Sequence, residues 1–478
     1  MNYRMIAYIL SRVFFIMAAL LLLPLVTGLI YGESVLNFAV TIALTALCGG
    51  ALALVKPRSR EIYAREGFAV VGLAWLSMSL LGAVPFVISG DIPNYVDAFF
   101  ETASGFTTTG ASILNNIESL TRGGLFWRSF THWIGGMGVL VFIMAVLPMS
   151  GERSMHIMRA EVPGPTVGKL VPRARTTARI LYIIYTAFTV AETVLLMLGG
   201  MSFYEALLHA FATAGTGGFS TRSASIAAFD SAYIEMVIAF FLILFGMNFN
   251  LFYLMVIGRF RDALRSEELH RYFEIILVSV VLIVIGTRSV YGTGQSIRHG
   301  FFITMTTLST AGFCTQDYMN WPAYLQTLIV VLMFIGGCAG STGGGLKLSR
   351  VMLFIRSAAA DLKKVIRPRS VNRVQMDGKR VTQETTNAVY AYVALVMLIL
   401  LGCTFIVSFD GYDFQTNFTA SLSCISNVGP GLGMVGPSGN FSIFSPLSKV
   451  VMALVMLFGR LEIYAMLILF IPSTWRRR

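Results

Sequence analysis

Long apolar runs separated by short polar segments dominate this chain of 478 residues. Residues 5–30 and 35–55 are two such runs, and each is long enough to cross about 30 Å of hydrocarbon as a helix. From Gly67 onward a unit recurs four times: an apolar helix, a short segment that ends at a glycine, and a second apolar helix. The pattern predicts an all-α polytopic membrane protein with ten spanning helices.

The parts of the four units have similar lengths and a common order. We predict outward helices at 67–88, 179–199, 275–291 and 387–409, and inward helices at 126–148, 234–258, 323–355 and 447–471. The short segments lie at 97–107, 203–214, 296–308 and 414–425. With a rise of about 1.5 Å per residue they cannot span the membrane, and their polar ends favour re-entrant segments. We therefore divide the chain into an N-terminal hairpin at 1–66 and four repeats at 67–178, 179–274, 275–386 and 387–478.

Composition and charge agree with a membrane location. Charged residues make up 13% of the chain, whereas a soluble domain is about 25% charged. The net charge is +12, but Lys and Arg are concentrated at both ends and in the loops 56–66, 149–179, 259–274 and 356–386. These loops alternate with the glycine-ended segments, so the positive-inside rule places both termini in the cytoplasm. The excess of basic residues is therefore explained by membrane topology, with contact to lipid headgroups as a second role. We expect no nucleic-acid partner.

Enzyme chemistry is not expected. The five cysteines lack paired spacing, so neither a disulfide framework nor a zinc site is predicted. We find no paired acids, His-rich motif or nucleophile with a base, and we expect no covalently bound cofactor. His132 and His209 are interpreted as hydrogen-bonding helix residues. Glu192 is an intramembrane charge that either lines a cavity or caps a neighbouring helix.

The glycine-ended segments have the chemistry of a filter for a monovalent cation. Backbone carbonyls can replace the water around a dehydrated cation, and glycine permits the φ > 0 conformations that turn them inward. The loops contain no carboxylate, which argues against a divalent site. The candidate potassium ligands are Thr108, Thr109, Gly110, Thr216, Gly217, Gly218, Thr310, Ala311, Gly312, Asn427, Val428 and Gly429. Ordinary Gly/Thr turns are the alternative.

Two features predict a gate. Six glycines in residues 336–345 should unwind the inward helix of repeat 3, because each costs about 1 kcal/mol relative to alanine. Arg460 lies near the middle of its predicted helix, where a charge is by default functional. The gate candidates are Gly336, Gly337, Gly340, Gly343, Gly344, Gly345, Lys347 and Arg460. The alternatives are a flexible kink, a phosphate loop with a displaced lysine, and a structural ion pair of Arg460 with Glu462 or Lys347.

As a set, these motifs resemble the Trk/Ktr/HKT superfamily of potassium transporters, and most closely the bacterial Trk-type ion-conducting membrane subunit. The residues that carry the resemblance are 107–110, 132–138, 217–221, 312–313, 336–347, 427–431 and 459–462. The resemblance implies an N-terminal hairpin before four helix–pore-loop–helix repeats, a potassium filter at the four glycines, and gating by the glycine-rich loop and Arg460. It also implies a homodimer, a cytosolic ring of nucleotide-binding regulatory subunits, and a location in the bacterial cytoplasmic (inner) membrane.

Several functional interpretations stay open at this point. The leading one is potassium uptake, by symport or through a channel. A less selective sodium/potassium transporter of the same fold is the first alternative, since Ala311 and Val428 stand where repeat 1 has Thr109. A secondary transporter with inverted repeats is disfavoured because all four repeats share one orientation. The loops 149–179 and 356–386 are either docking sites for a regulator or solvated loops.

Overall fold

The computed structural model describes residues 1–57, 63–138, 174–368 and 374–475. In this part of the chain every element is helical except a two-stranded hairpin, β1 (Gln375–Met376) with β2 (Lys379–Arg380). The prediction of an all-α fold is therefore confirmed. "Outer" and "inner" below denote the two membrane sides in the topology predicted from the basic residues.

The N-terminal hairpin consists of α1 (Tyr3–Leu20), α2 (Leu22–Ile30) and α3 (Leu36–Ala53). Helices α1 and α2 adjoin at Leu21 and form one apolar stretch of 28 residues. The interruption has a local cause, because Pro24 in the first turn of α2 has no N–H to donate to the preceding turn. Gly49 allows α3 to approach α1 closely, since a Cβ at this glycine would lie 3.3 Å from the Ser11 carbonyl oxygen.

Three outward helices are continuous: α4 (Ala64–Ser89), α7 (Ala174–Leu198) and α15 (Gln383–Val407). Three re-entrant helices are separate and short: α5 (Tyr95–Phe106), α8 (Phe203–Ala214) and α16 (Phe414–Ser426). In repeat 3 the outward and re-entrant helices join in α12 (Glu267–Leu308), with a kink at Gly292, where φ is 75°. The short α11 (Phe260–Leu264) precedes it.

The inward helices are broken more often than the sequence predicts. They are α6 (Arg122–Met137), α9 (Ala232–Gly246) with α10 (Phe249–Val256), α13 (Ala323–Ile335) with α14 (Leu348–Ile366), and α17 (Pro446–Arg460) with α18 (Tyr464–Phe470). The last helix, α19, is Pro472–Trp475. Residues 139–148 of the first predicted inward helix, and residues 149–173 of the loop 149–179, lie outside the described residues.

The predictions of continuous helices at 234–258 and 447–471 are wrong, because each helix is broken in the structure. The chain bends by 87° between α9 and α10, because the Asn248 side chain accepts the N–H of Asn250 and starts a new helix. The helix predicted at 447–471 stops at Arg460, and Glu462 and Ile463 have φ of 57° and 61°. The break lets the Glu462 carboxylate reach Arg350 of α14.

Ten spanning helices were predicted, one of them interrupted by the glycines of residues 336–345. Within the described residues, six helices are long and apolar enough to cross a membrane, and the bent α9–α10 pair would make a seventh. Large apolar side chains such as Leu398, Leu401 and Phe405 of α15 are exposed on the surface of the protein. Such a surface suits contact with lipid rather than water.

Candidate functional site

Each re-entrant helix ends in the same backbone motif. A residue in the left-handed region is followed by a backbone N–H that donates to the carbonyl five residues earlier. The left-handed residues are Thr108, Thr216, Thr310 and Asn427, with φ of 54°, 54°, 62° and 53°. The hydrogen bonds run from Thr109 to Ser104, from Gly217 to Ala212, from Ala311 to Thr306 and from Val428 to Ser423, at 2.8–3.0 Å. Helix C-caps of this type usually use glycine, so three β-branched threonines here show that the surroundings impose the conformation.

The four segments after these helices meet in a ring. We call them loop 1 (107–110), loop 2 (215–218), loop 3 (309–312) and loop 4 (426–429). Their final glycines, Gly110, Gly218, Gly312 and Gly429, have φ of 79°, 76°, 78° and 100°. A Cβ at the first three would overlap the carbonyl oxygens of Gly217, Ala311 and Val428, and at Gly429 it would lie 2.8 Å from Thr109 O. Each loop thus faces the next, and loop 4 faces loop 1, so the candidate ligand residues lie together.

The inside of the ring is lined by backbone. A Cβ at Gly110 would lie 3.6 Å from Ala311 O of loop 3, in addition to its overlap with loop 2. A side chain there would therefore project among the carbonyls of two other loops. The Thr108 Oγ1 and Asn427 Oδ1 atoms are buried and have no hydrogen-bond partner among the described residues. Carbonyl, hydroxyl and amide oxygens are the donor set that a dehydrated monovalent cation requires.

Side chains behind the ring hold loops 1 and 4 together. Thr107 and Thr109 share a hydroxyl–hydroxyl bond of 2.7 Å. Asn427 Nδ2 donates to Thr109 Oγ1 at 2.9 Å and to Met456 O at 3.0 Å. The residue that makes loop 4 the most divergent in sequence is thus a structural link between the first and last repeats.

His132 of the inward helix α6 supports the last turn of α5 and loop 2. Its Nδ1 lies 2.7 Å from Gly105 O, and its ring packs on Phe219 with a centroid distance of 4.0 Å. The ring also lies against Gly217, where a Cβ would come within 2.6 Å of its atoms. The hydrogen bond was expected, but the sequence did not indicate that this histidine touches both the last turn of α5 and loop 2.

The outer ends of the three separate re-entrant helices are capped. Asn94 accepts the N–H of Val96 at 2.8 Å, and Ser202 accepts that of Glu205 at 3.3 Å. At Asp413, the hydroxyl of Thr416 donates to the carboxylate, and this hydrogen bond with those from backbone N–H groups holds the pKa of Asp413 below its usual range. Capping fixes these helices with their partly negative C-terminal ends toward the ring.

A cavity of about 200 Å³ lies on the outer side of the ring, with the four final glycines in its lining. Two arginines also line it, and both are paired. Arg128 Nε is 2.7 Å from a Glu101 oxygen in a buried ion pair, and its guanidinium lies 3.5 Å above the Phe219 ring. Arg222 pairs with Glu205 at 2.6 Å. The basic residues on this side are thus balanced by carboxylates, which limits their repulsion of a cation.

The break between α13 and α14 packs against the inner side of the ring. We call residues 336–345 the glycine loop. Gly344 N donates to Thr310 Oγ1 at 2.6 Å, and Gly345 N donates to Ser426 O at 2.9 Å. A Cβ at Gly343 would lie 2.7 Å from Ser309 O. Only glycine permits so close an approach to loops 3 and 4.

The glycine loop also contacts the bend in repeat 2. Cys338 N donates to Gly246 O at 2.9 Å, and Thr342 N donates to Phe245 O at 3.3 Å. These carbonyls belong to the last turn of α9, where no continuing helix competes for them. The break in α9–α10, which the sequence did not predict, therefore provides acceptors for the loop.

Arg460 connects the glycine loop to repeat 1. Its guanidinium donates to Thr342 O, Gly135 O and Gly136 O, each at 2.6 Å. It occupies the last position of α17 rather than the middle of a long helix, which corrects the prediction. The role of Gly135 and Gly136 as acceptors was also missed.

The other predicted charges have different partners from those considered. Glu462 forms a two-pronged ion pair with Arg350, whose guanidinium lies 4.0 Å above the Tyr392 ring. Lys347 is buried and donates to Gly343 O, and its φ is 73°. Helices α13 and α14 flank this segment, whereas a phosphate loop follows a strand. Glu192 is fully buried beside Thr213 of α8.

One further carboxylate was missed altogether. Glu268, in the first turn of α12, accepts the N–H groups of Ala339 at 2.7 Å and Ser349 at 3.1 Å. Its neighbour Glu267 has the same side chain, and acidic residues are common in the first turn of a helix. The sequence therefore held no signal that could separate Glu268 from an ordinary helix-end acid.

A chain of apolar helices in which four short helices bring glycine-ended loops into one ring has the architecture of a membrane transport protein. Residues 34–284 and 273–477 match the family described as "TrkH: Cation transport protein". This chain belongs to that family of cation transporters, which confirms the resemblance inferred from the motifs. The family is one of transporters rather than enzymes.

Individual relatives match over the full length. The Trk system potassium uptake protein TrkH of Escherichia coli K12 is 35% identical over 485 residues, with all of both chains covered. TrkG of the same organism is 34% identical over 464 residues, with 95% of this chain and 94% of TrkG covered. The crystal structure of the potassium transporter TrkH from Vibrio parahaemolyticus superposes with a TM-score of 0.89 at 32% identity, and all of both chains is covered.

Proposed function

We propose that this protein takes up potassium across the cytoplasmic membrane through a filter formed by loops 1–4. The observation that supports the proposal best is the closed succession of Gly110, Gly218, Gly312 and Gly429, each facing a carbonyl of the next loop. The names of the relatives, which are potassium uptake proteins, support potassium as the cargo. Sodium is the alternative cargo for the same filter.

In the proposed mechanism, a cation loses its water as it passes from the outer cavity into the ring. The carbonyl oxygens of Thr109, Gly217, Ala311 and Val428 replace that water, with the oxygens of Thr108 and Asn427 on the inner side. The C-terminal ends of the re-entrant helices add a partly negative potential that favours a cation. The paired arginines of the outer cavity carry little uncompensated charge.

We further propose that the glycine loop and Arg460 gate the path below the ring. The guanidinium contributes a fixed positive charge beside the loop, which opposes passage of a cation while Thr342, Gly135 and Gly136 hold it. Movement of the loop would break those hydrogen bonds and open the path. Among the gate candidates, Gly343 and Gly344 let the backbone approach loops 3 and 4 in this scheme. Gly336, Gly337, Gly340 and Gly345 let the glycine loop pack on itself and on the bend of repeat 2, and Lys347 holds it by donating to Gly343 O.

The assembly and location are proposals of the same kind. We propose a homodimer with a cytosolic ring of nucleotide-binding regulatory subunits, placed in the inner membrane with both termini in the cytoplasm. The positive-inside distribution of Lys and Arg supports this orientation. The basic loops also suit contact with anionic lipid headgroups.

Growth of a bacterial host that lacks its own potassium uptake systems tests the function. We expect expression of this chain to restore growth at low potassium, and rubidium-86 uptake to be inhibited by potassium at least tenfold more effectively than by sodium, on the order of 1.4 kcal/mol. Equal inhibition by the two ions would favour the sodium/potassium alternative. Absence of rescue with the protein present in the membrane fraction would contradict the proposal.

A further inference from the structure

The glycine loop is held by a carboxylate that belongs to a different helix. Glu268 of α12 is 5% exposed, and its Oε1 atom accepts the N–H of Ala339 within the loop and the N–H of Ser349 just beyond it. The two donors lie on either side of Gly340–Gly345, the part that packs against loops 3 and 4. One oxygen therefore ties both ends of this part to the start of α12.

Glu268 supplies part of the N-terminal capping of helix α14, in which Leu348 N also donates to Gly337 O at 3.0 Å. The N-cap position of α14 is Lys347, which has φ of 73° and makes no side-chain capping hydrogen bond. The first N–H groups of a helix need acceptors from outside the helix, and a carboxylate is a favourable one because of its charge. Glu268, from 81 residues earlier in the chain, supplies the acceptor for Ser349.

The same turn of α12 is attached to the hairpin β1–β2. Asp377, at the tip of the hairpin, accepts the N–H of Glu267 at 2.8 Å. Arg356 of α14 forms an ion pair with Glu267 at 2.7 Å and donates to Gln375 O of the hairpin at 2.6 Å. The hairpin is exposed on the inner side, and these contacts join it to the residue next to Glu268.

We propose that Glu268 is a positioning residue that latches the glycine loop against the ring, and that the hairpin Gln375–Arg380 sets the position of this latch. Because Glu267 and Glu268 are adjacent in one helical turn, a shift of the hairpin displaces both carboxylates together. Displacement of the single Glu268 oxygen releases Ala339 and Ser349 at once, so the loop loses one of its attachments at each end. This inference rests on the proposed role of the glycine loop as the gate.

A natural reporter lies within the loop. Cys338 is 1% exposed, and its side chain becomes accessible only when the loop leaves the bend of repeat 2. The experiment uses the full chain with alanine at its other cysteines, Cys48, Cys314, Cys403 and Cys424. The rate of Cys338 modification by a membrane-impermeant methanethiosulfonate is measured from the inner side in inside-out vesicles, and rubidium-86 flux is measured on the same protein.

Glu268→Ala is expected to raise the Cys338 modification rate about tenfold, since two hydrogen bonds to a charged group are lost. Glu268→Gln keeps an oxygen acceptor and should raise the rate by less, about threefold. Asp377→Ala should also raise it by about threefold, through the hairpin. Glu274→Ala is the matched control, because Glu274 is an exposed acid of the same helix and pairs with Arg271; it should leave the rate unchanged.

Unchanged Cys338 modification in Glu268→Ala, with the protein at wild-type amount in the membrane, would overturn the latch. If Glu268→Ala fails to accumulate, Glu268→Gln and Asp377→Ala decide: faster modification in both supports the latch, and wild-type rates in both overturn it. Faster modification without a change in rubidium flux would keep the latch and refute the gating role of the glycine loop. The two proposals can therefore fail separately.

Discussion

Glycine has opposite roles in the ring and in the glycine loop: it helps to fix the first and leaves the second able to move. In the ring, glycines at equivalent positions of four repeats face the carbonyls of neighbouring loops, and the same hydrogen bond closes each helix end. The glycine-rich sequence occurs in one repeat only. The glycine loop is held by separate contacts to the carbonyls of Phe245 and Gly246 and to Thr310, Ser426, Arg460 and Glu268. A structure closed by four mutual contacts resists change, whereas one held by separate contacts can be released at one of them.

This difference predicts that substitutions in the ring abolish transport, which is the largest effect we expect. Gly218→Ala should lower rubidium-86 flux by about a hundredfold, because overpacking costs up to about 3 kcal/mol and the new Cβ overlaps Ala311 O. Gly429→Ala should be milder, on the order of tenfold, since its Cβ would lie 2.8 Å from Thr109 O. The measurement is initial uptake rate per amount of membrane protein, together with the potassium/sodium ratio.

A matched control for the ring is Gly402→Ala in α15, where an added Cβ meets no atom within 4 Å. It should transport at the wild-type rate. Unchanged permeability ratios after substitution of Gly110, Gly218, Gly312 and Gly429 in turn would exclude the ring as the filter. Equal losses of flux at all four glycines would mean that the closer approach of the carbonyl oxygens to Gly110, Gly218 and Gly312 does not affect transport.

Substitution of a residue that holds the glycine loop should instead increase transport. Arg460→Ala removes three hydrogen bonds to backbone carbonyls and a positive charge below the ring. Two unit charges about 10 Å apart repel each other by on the order of 1–2 kcal/mol at an effective dielectric of about 20, so removal of such a charge should raise flux roughly tenfold. The assay is rubidium-86 uptake in vesicles without a regulator.

Arg460→Lys provides the matching comparison, because it keeps the charge but offers a point donor instead of a planar fork. It should raise flux by less than Arg460→Ala. If Arg460→Ala reaches the membrane and transports at or below the wild-type rate, the arginine is not a barrier. Loss of expression with no gain in flux would instead support a purely structural role.

Features of the fold that depend on residues close together in the chain could be predicted from the sequence, and features that depend on distant contacts could not. The order of apolar helices, short segments and final glycines repeats along the chain, so periodicity and the φ > 0 requirement of glycine were enough to place it. The left-handed threonines were not predicted, since threonine rarely adopts that conformation and only the packing of four loops imposes it. The roles of the loops as filter and gate stay predictions.

The breaks in the inward helices depend on partners that are distant in sequence. The helix predicted at 447–471 contains no proline, and Gly459 is the glycine close to Glu462. The break of the helix coincides with the ion pair of Glu462 to Arg350, more than a hundred residues earlier. Glu268 likewise acquires its role from Ala339 and Ser349, which are 71 and 81 residues away. Contacts at such separations leave no periodic or compositional trace in one sequence.

The smallest effect should come from exchanging the left-handed residues of two loops. Asn427→Thr would remove the donor to Thr109 Oγ1 and Met456 O and would place a β-branched residue at φ of 53°. We expect the potassium/sodium ratio to fall about fivefold, in line with about 1 kcal/mol for a lost buried hydrogen bond. Thr216→Asn should change the ratio less than about twofold, because asparagine tolerates the left-handed region.

A double-mutant cycle shows whether this effect passes between loops 4 and 1. Thr109→Val removes the acceptor of Asn427 and should lower the potassium/sodium ratio on its own. If the two residues act through their shared hydrogen bond, Asn427→Thr combined with Thr109→Val should cost less than the sum of the single changes. Strict additivity would show that Asn427 acts through Met456 and its own backbone, and the divergent fourth loop would then be shaped independently of the first.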